Sequence, residues 1–247
     1  MSEETKGGGF FDGNPKTMFL FGFVSGVAVV LILNSLLGGF NVNAAGGNNK
    51  NNTGKVVVPT QQVVNTATGQ PAGELAAVTD DEHILGDLSK AKVVLVEYSD
   101  FECPFCANHH PSMQQAVAEY GDDVAWVYRH FPLSFHPQAQ PAAIASECAA
   151  DQGEFWAYAD ALIENQASLG PAYYSDLAGE LGLNVNTFNN CLEDAEVAQR
   201  VTDDMNSGRA AGVSGTPATF VNGTLISGAV PYASLKQVID AALATAE

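Results

Sequence analysis

The apolar run Val93-Val94-Leu95-Val96 leads within seven residues into Cys103-Pro104-Phe105-Cys106. A buried strand that feeds a helix at a Cys-x-x-Cys constrains the fold strongly, because a strand followed by a crossover helix builds a sheet with parallel neighbours. Pro104 suits the first helical turn, where its missing N–H would be unpaired in any case. The helix start offers free backbone N–H groups and the positive end of the macrodipole, and both favour a thiolate at Cys103. Cys106 lies one turn further on, close enough to close or resolve a disulfide with it. Cys103 is therefore the candidate nucleophile, exposed at the helix mouth, and Cys106 the candidate resolving thiol.

The flanking pattern is that of one α/β domain. Lys92–Tyr98 reads as a buried strand, Cys103–Tyr120 as a helix stopped by Gly121, and Val124–Phe131 as a second strand. From Gln138 to Ala211 the chain is rich in Ala, Leu, Glu and Gln, with breaks at Gly153, Gly170-Pro171 and Gly182, which predicts several packed helices. Ala218–Val221 and Thr224–Ser227 flank Asn222-Gly223, the strongest short hairpin signal. Pro231–Ala246 is an amphipathic helix with Pro231 near its first turn. The order β-α-β, helices, β-β-α implies helices covering a small mixed sheet.

Taken together, VEYSDFECPFC, the distant Gly215-Thr216-Pro217 before a strand, YRHFPLSFHPQAQPAAIASECA and GEFWAYADAL resemble the DsbA-like branch of the thioredoxin superfamily, in particular its membrane-anchored bacterial members. The resemblance runs from about Asp80 to Ala246. It implies a thioredoxin fold with an inserted helical subdomain at about 138–211, and no cofactor beyond a redox-active Cys103–Cys106 disulfide. It also implies a cis bond at Pro217, with the Thr216 backbone beside Cys103 as an edge for an extended substrate peptide. Glu97, six residues before Cys103, stands where the family buries an acid that exchanges protons with the resolving thiol. A carboxyl buried beside a thiolate is disfavoured in its charged form, which suits it to carry a proton. The other reading of Glu97 is a strand-edge side chain in water. Phe105 departs from the histidine of the best-known members: it neither donates a hydrogen bond to the Cys103 sulfur nor adds charge. Asp100 and Glu102, if close to Cys103, would oppose the helix dipole and raise its pKa.

Cys148 and Cys191 lie in the helical block. In an oxidising compartment they read as a structural disulfide stapling two helices; two buried free thiols are the alternative. Cys106, His109 and His110 form a string with possible ligands at i and i+4. A structural zinc site draws on two separated ligand pairs, and no second pair of suitable spacing exists, so no metal is expected there. The two histidines are expected on the helix surface. Phe101, Phe105, Phe131 and Phe135 are candidates for an apolar substrate groove, each with core packing as its alternative.

Upstream, the expected organisation is a short tail over 1–17, a transmembrane anchor over 18–37 and a flexible linker over 38–73, ahead of the domain at 74–247. Met18 to Leu37 is uncharged and mostly apolar, and twenty residues in a helix match the bilayer core. Val42-Asn43-Ala44 is a poor small-x-small cleavage site, which favours an anchor over a cleaved signal. The linker's Gly, Asn, Thr and Gln suit a mobile tether. The chain carries a net charge of −18, and 25 of its 28 acidic residues lie between Glu74 and Glu247. That sign excludes a nucleic-acid-binding domain.

The resulting expectation is a single-pass cell-membrane protein with its C-terminal domain extracytoplasmic. It would act as a thiol–disulfide oxidoreductase introducing disulfides into unfolded or exported proteins with free thiols. Family analogy adds a membrane reoxidase of the DsbB or vitamin K epoxide reductase-like type. The alternatives are a disulfide reductase or isomerase, and a non-catalytic tethered peptide-binding module.

Overall fold

A computed structural model describes residues 73 and 75–246. The tail, the anchor and nearly all of the linker fall outside the described residues. Among the described residues no helix is long and apolar enough to cross a membrane.

Two adjacent strands, β2 (Val93–Ser99) and β3 (Val124–His130), form the centre of the sheet. They pair in parallel, and β3 is buried at all seven positions, β2 at six. Near-continuous apolar strands of this kind suit a sheet covered on both faces. α1 (Pro104–Tyr120) supplies the crossover between them, as a parallel pair requires. The other strands are β1 (His83–Leu85), β4 (Ala218–Val221) and β5 (Thr224–Ser227), giving the spatial order β1-β3-β2-β4-β5. β1 runs antiparallel to β3, β4 to β2, and β5 to β4. β1 was not foreseen: three residues show no periodicity, and the strand is defined by its pairing with β3.

Between β3 and β4 come α2 (Ala139–Ala150), α3 (Phe155–Glu164), α4 (Pro171–Glu180), α5 (Val185–Cys191) and α6 (Ala195–Ala210), and α7 (Tyr232–Thr245) closes the domain. The alternation along the central strands divides the core. Leu95, Trp126 and Val221 pack with α1, the helical block and α7, whereas Val96, Val127 and Phe220 pack with Ala211, Val213 and Met205 at the end of α6. Each fully buried leucine or valine contributes about 1.5–3 kcal/mol. α6 lies so close to the sheet at Gly208 that a Cβ there would sit 2.8 Å from both Phe131 and Tyr98.

Asn222 and Gly223 form the β4–β5 turn with φ of 45° and 86°, the left-handed conformation that a two-residue hairpin turn needs. Asn222 also ties the turn to β2, accepting from Val94 N at 2.8 Å and donating to Lys92 O at 3.0 Å. Cys148 and Cys191 are bonded, with Cα atoms 5.7 Å apart, and staple α2 to the end of α5.

The two α1 histidines correct the expectation of a helix surface, for His109 and His110 are both buried. α1 is packed on two sides. His109 Nε2 meets Thr219 Oγ1 of β4 at 3.1 Å, while His110 Nε2 meets Asp160 Oδ1 of α3 at 2.7 Å. They point to different neighbours.

Candidate active site

Cys103 is the N-cap of α1 and Pro104 its first residue, so the thiol sits at the helix mouth as the sequence requires. Cys103 and Cys106 are free thiols. One expectation needs correcting: Cys103 is only 3% exposed, against 0% for Cys106. Two segments close over it. Thr216-Pro217, joined by a cis peptide bond, brings the Thr216 carbonyl to the nucleophile, and Cys103 Sγ donates to it at 3.6 Å. From the helical block, Gln166 Nε2 donates to the carbonyls of Phe101 and Cys103 at 2.8 and 2.9 Å. The groove phenylalanines divide. Phe101 and Phe131 are core, whereas Phe105 and Phe135 are exposed at 61% and 72%.

The two thiols are electrostatically unlike. Cys103 is lowered to about 5, first by a hydrogen bond from the Cys106 thiol and then, against the cost of burial, by the Thr216 side chain and the backbone N–H groups of Cys106 and Phe105. Those N–H groups are the free donors of the helix start. Burial pushes Cys106 well up, with further contributions from its bond to Cys103 and the Glu97 charge. Neither Asp100 nor Glu102 is among the causes that set the Cys103 value, and both make their hydrogen bonds to neighbouring loop segments. The buried Asp100 carboxylate accepts from the amides of Glu102 and Leu133 and faces His136 Nδ1 at 2.8 Å. Glu102 accepts from the Gln138 amide. Both acids hold the loop that carries Cys103.

Glu97 is 1% exposed, so the strand-edge reading fails, and neither carboxyl oxygen has a hydrogen-bond partner among the described residues. The strand registers place it in a polar row across the sheet: His83 beside Tyr128, Tyr128 beside Glu97, Glu97 beside Thr219. Tyr128 is buried with its hydroxyl unpartnered, and burial followed by the Glu97 and Cys106 charges raises it well above the ordinary tyrosine value. Sequence reasoning missed Tyr128, Gln166 and the anchoring role of Asp100. Tyr128 was visible only as one aromatic in a strand, and nothing local marks Gln166. The arrangement provides a thiolate-prone sulfur, a second sulfur that prefers its proton, and an unpaired carboxyl behind them.

A family model described as thioredoxin matches residues 78–241. The Na(+)/H(+) antiporter NhaA 3 of Salinispora tropica is 39% identical over 168 residues, which is 68% of this chain and 26% of that protein. NhaA of Herminiimonas arsenicoxydans is also 39% identical, over 65% of this chain and 25% of its own. The chain thus spans about a quarter of the length of these curated relatives. Among solved structures, BdbD from Bacillus subtilis has a TM-score of 0.63 at 23% identity, covering 71% of this chain and 100% of that one. Alpha-DsbA1 from Wolbachia pipientis has a TM-score of 0.59 at 23% identity, covering 70% and 96%. A thioredoxin-like oxidoreductase from Silicibacter pomeroyi has a TM-score of 0.58 at 26% identity, covering 66% and 93%.

Proposed function

Because the chain belongs to the thioredoxin family and has the fold of its DsbA-type members, we propose that it is a thiol–disulfide oxidoreductase that oxidises protein thiols through Cys103 and Cys106. In the disulfide form, a substrate thiolate attacks Cys103 Sγ and the Cys103–Cys106 bond breaks, with its electron pair leaving on Cys106. Cys106 then takes a proton, in keeping with its raised pKa, and the buried, unpartnered Glu97 carboxyl is the group through which that proton is exchanged. A second substrate thiolate attacks the substrate sulfur of the mixed disulfide, and Cys103 departs as a thiolate. The substrate loses two electrons and the enzyme pair gains them. The Thr216 backbone, beside Cys103, is the edge along which an extended substrate would lie. Exposed Phe105 and Phe135 add apolar contact for unfolded chains.

The observation that carries this reading is the lowered Cys103 pKa beside a buried, proton-holding Cys106. A stabilised thiolate favours the dithiol form, and a favoured dithiol form is an oxidant. The Cys148–Cys191 bond suits an oxidising compartment. The apolar 18–37 segment supplies the anchor that would hold the domain outside the cytosol, beside a membrane reoxidase of the DsbB or vitamin K epoxide reductase-like type. Equilibration of the pair against glutathione tests the direction. A potential near about −120 mV supports an oxidase, and one near about −270 mV overturns it in favour of a reductase. Full biological activity in Cys103→Ser would instead favour a binding module without turnover.

A further inference from the structure

Away from the thiols, at the meeting of β1, β3, α2 and α6, two imidazoles converge on one carboxylate oxygen. His83 Nε2 lies 2.5 Å and His130 Nε2 2.9 Å from the same Oε1 of Glu147. The three candidate donor atoms all lie within 4.8 Å of one another. Arg200 Nε donates to the other carboxylate oxygen, Oε2, at 2.8 Å, and its second arm reaches Asp151 Oδ1 at 2.9 Å. Glu147 is thereby held with Oε1 facing the imidazoles. His130 makes its side-chain hydrogen bond through Nε2 alone, and Nδ1 has no partner among the described residues. A cavity of about 210 Å³ opens onto the group and carries further negative charge from Asp81, Asp203 and Asp204.

We propose that His83, His130 and Glu147 form a zinc site whose fourth position opens to this cavity and takes a water molecule. The proposal is independent of the thiol chemistry. Two imidazole nitrogens and one carboxylate oxygen with an open fourth position are a zinc donor set, and calcium, which takes oxygen ligands alone, is a poor match. Bonds of about 2.0–2.2 Å to a tetrahedral ion put neighbouring ligand atoms about 3.3 Å apart. The nitrogen–oxygen gaps of 2.5 and 2.9 Å therefore need to open by less than an ångström. Arg200 is the outer partner that fixes the carboxylate's orientation. The ion would replace the two hydrogen bonds to Oε1, each imidazole moving its N–H from Nε2 to Nδ1. It would clip β1, the three-residue strand by which the chain enters the sheet, to β3 and α2.

The test is Zn²⁺ alone added to the full chain in its Cys103–Cys106 disulfide form, so that no thiol competes. One equivalent should survive gel filtration, and zinc should raise Tm. His83→Asn, at a partly exposed ligand, should lose both effects, while Asp81→Asn, which lines the cavity without joining the donor set, should keep them. No zinc-dependent rise in wild type, or an undiminished equivalent in His83→Asn, overturns the site. The Co²⁺-loaded wild type gives a second readout that needs no variant. Four-coordinate d–d bands without a thiolate charge-transfer band support the proposal, and the spectrum of the free hexaaquo ion overturns it.

Discussion

Replacing Cys106 with alanine removes the first cause of the lowered Cys103 pKa, the hydrogen bond from the neighbouring thiol, and leaves the backbone N–H groups and Thr216 in place. At pH 7 a thiol lowered from 9.0 to about 5 is ionised about 100 to 1, whereas an ordinary one is ionised about 1 to 100. That difference is worth about 3 kcal/mol to the dithiol form, or about 60 mV on a two-electron couple. Because the folded value is depressed, this stabilisation is complete above the ordinary cysteine range and is lost as pH falls through about 5. Iodoacetamide alkylation of reduced wild type, followed against pH, should therefore inflect near pH 5. Cys106→Ala should inflect higher, yet still below an ordinary cysteine, because the helix N-terminus continues to act. A wild-type inflection above pH 8 would refute the reasoning outright. A variant curve lying on the wild-type curve would refute the part assigned to the inter-thiol bond.

Glu97→Gln removes a buried carboxyl with no hydrogen-bond partner. Oxidation of a model dithiol peptide should slow by about 10²-fold, while Tm rises; an unchanged rate would remove Glu97 from proton transfer. Cys148→Ala/Cys191→Ala opens a loop with a sequence separation of 43 and should cost about 4 kcal/mol in urea unfolding on the loop-entropy model. A loss below about 1 kcal/mol would show that the unfolded chain is not constrained as that model assumes. Gly208→Ala pushes a Cβ to 2.8 Å from Phe131 and Tyr98 and should cost about 1–3 kcal/mol as an overpacked contact. An unchanged urea midpoint would mean that α6 withdraws from the sheet without penalty.

Local chemistry made most of the framework legible. The run before Cys103 read as a buried strand, and it is one. Pro104 and Gly121 bracketed α1 to within a residue, and Asn222-Gly223 fixed both ends of its hairpin, because caps and tight turns depend on residues within a few positions of one another. The histidines of α1 were not legible, since a polar residue on a helix is buried or exposed according to how many sides of that helix are covered. Here β4 and α3 cover two. β1 exists through its register with β3, so its three residues carried no signal of their own.

The site divides along the same line. By itself the sequence determined the paired thiols and the helix mouth that holds one of them, through residue type and spacing, while the place of Thr216-Pro217 came from the family resemblance. Only the tertiary structure decided that Cys103 is closed over by Thr216 and Gln166, that Glu97 has Tyr128 and Thr219 as its flanking row, and that Asp100 and Glu102 bind the amides of Leu133 and Gln138. Those facts depend on contacts between residues tens to more than a hundred positions apart, such as Cys103 with Thr216. Burial and charge act through distance in space, and the fold alone sets those distances.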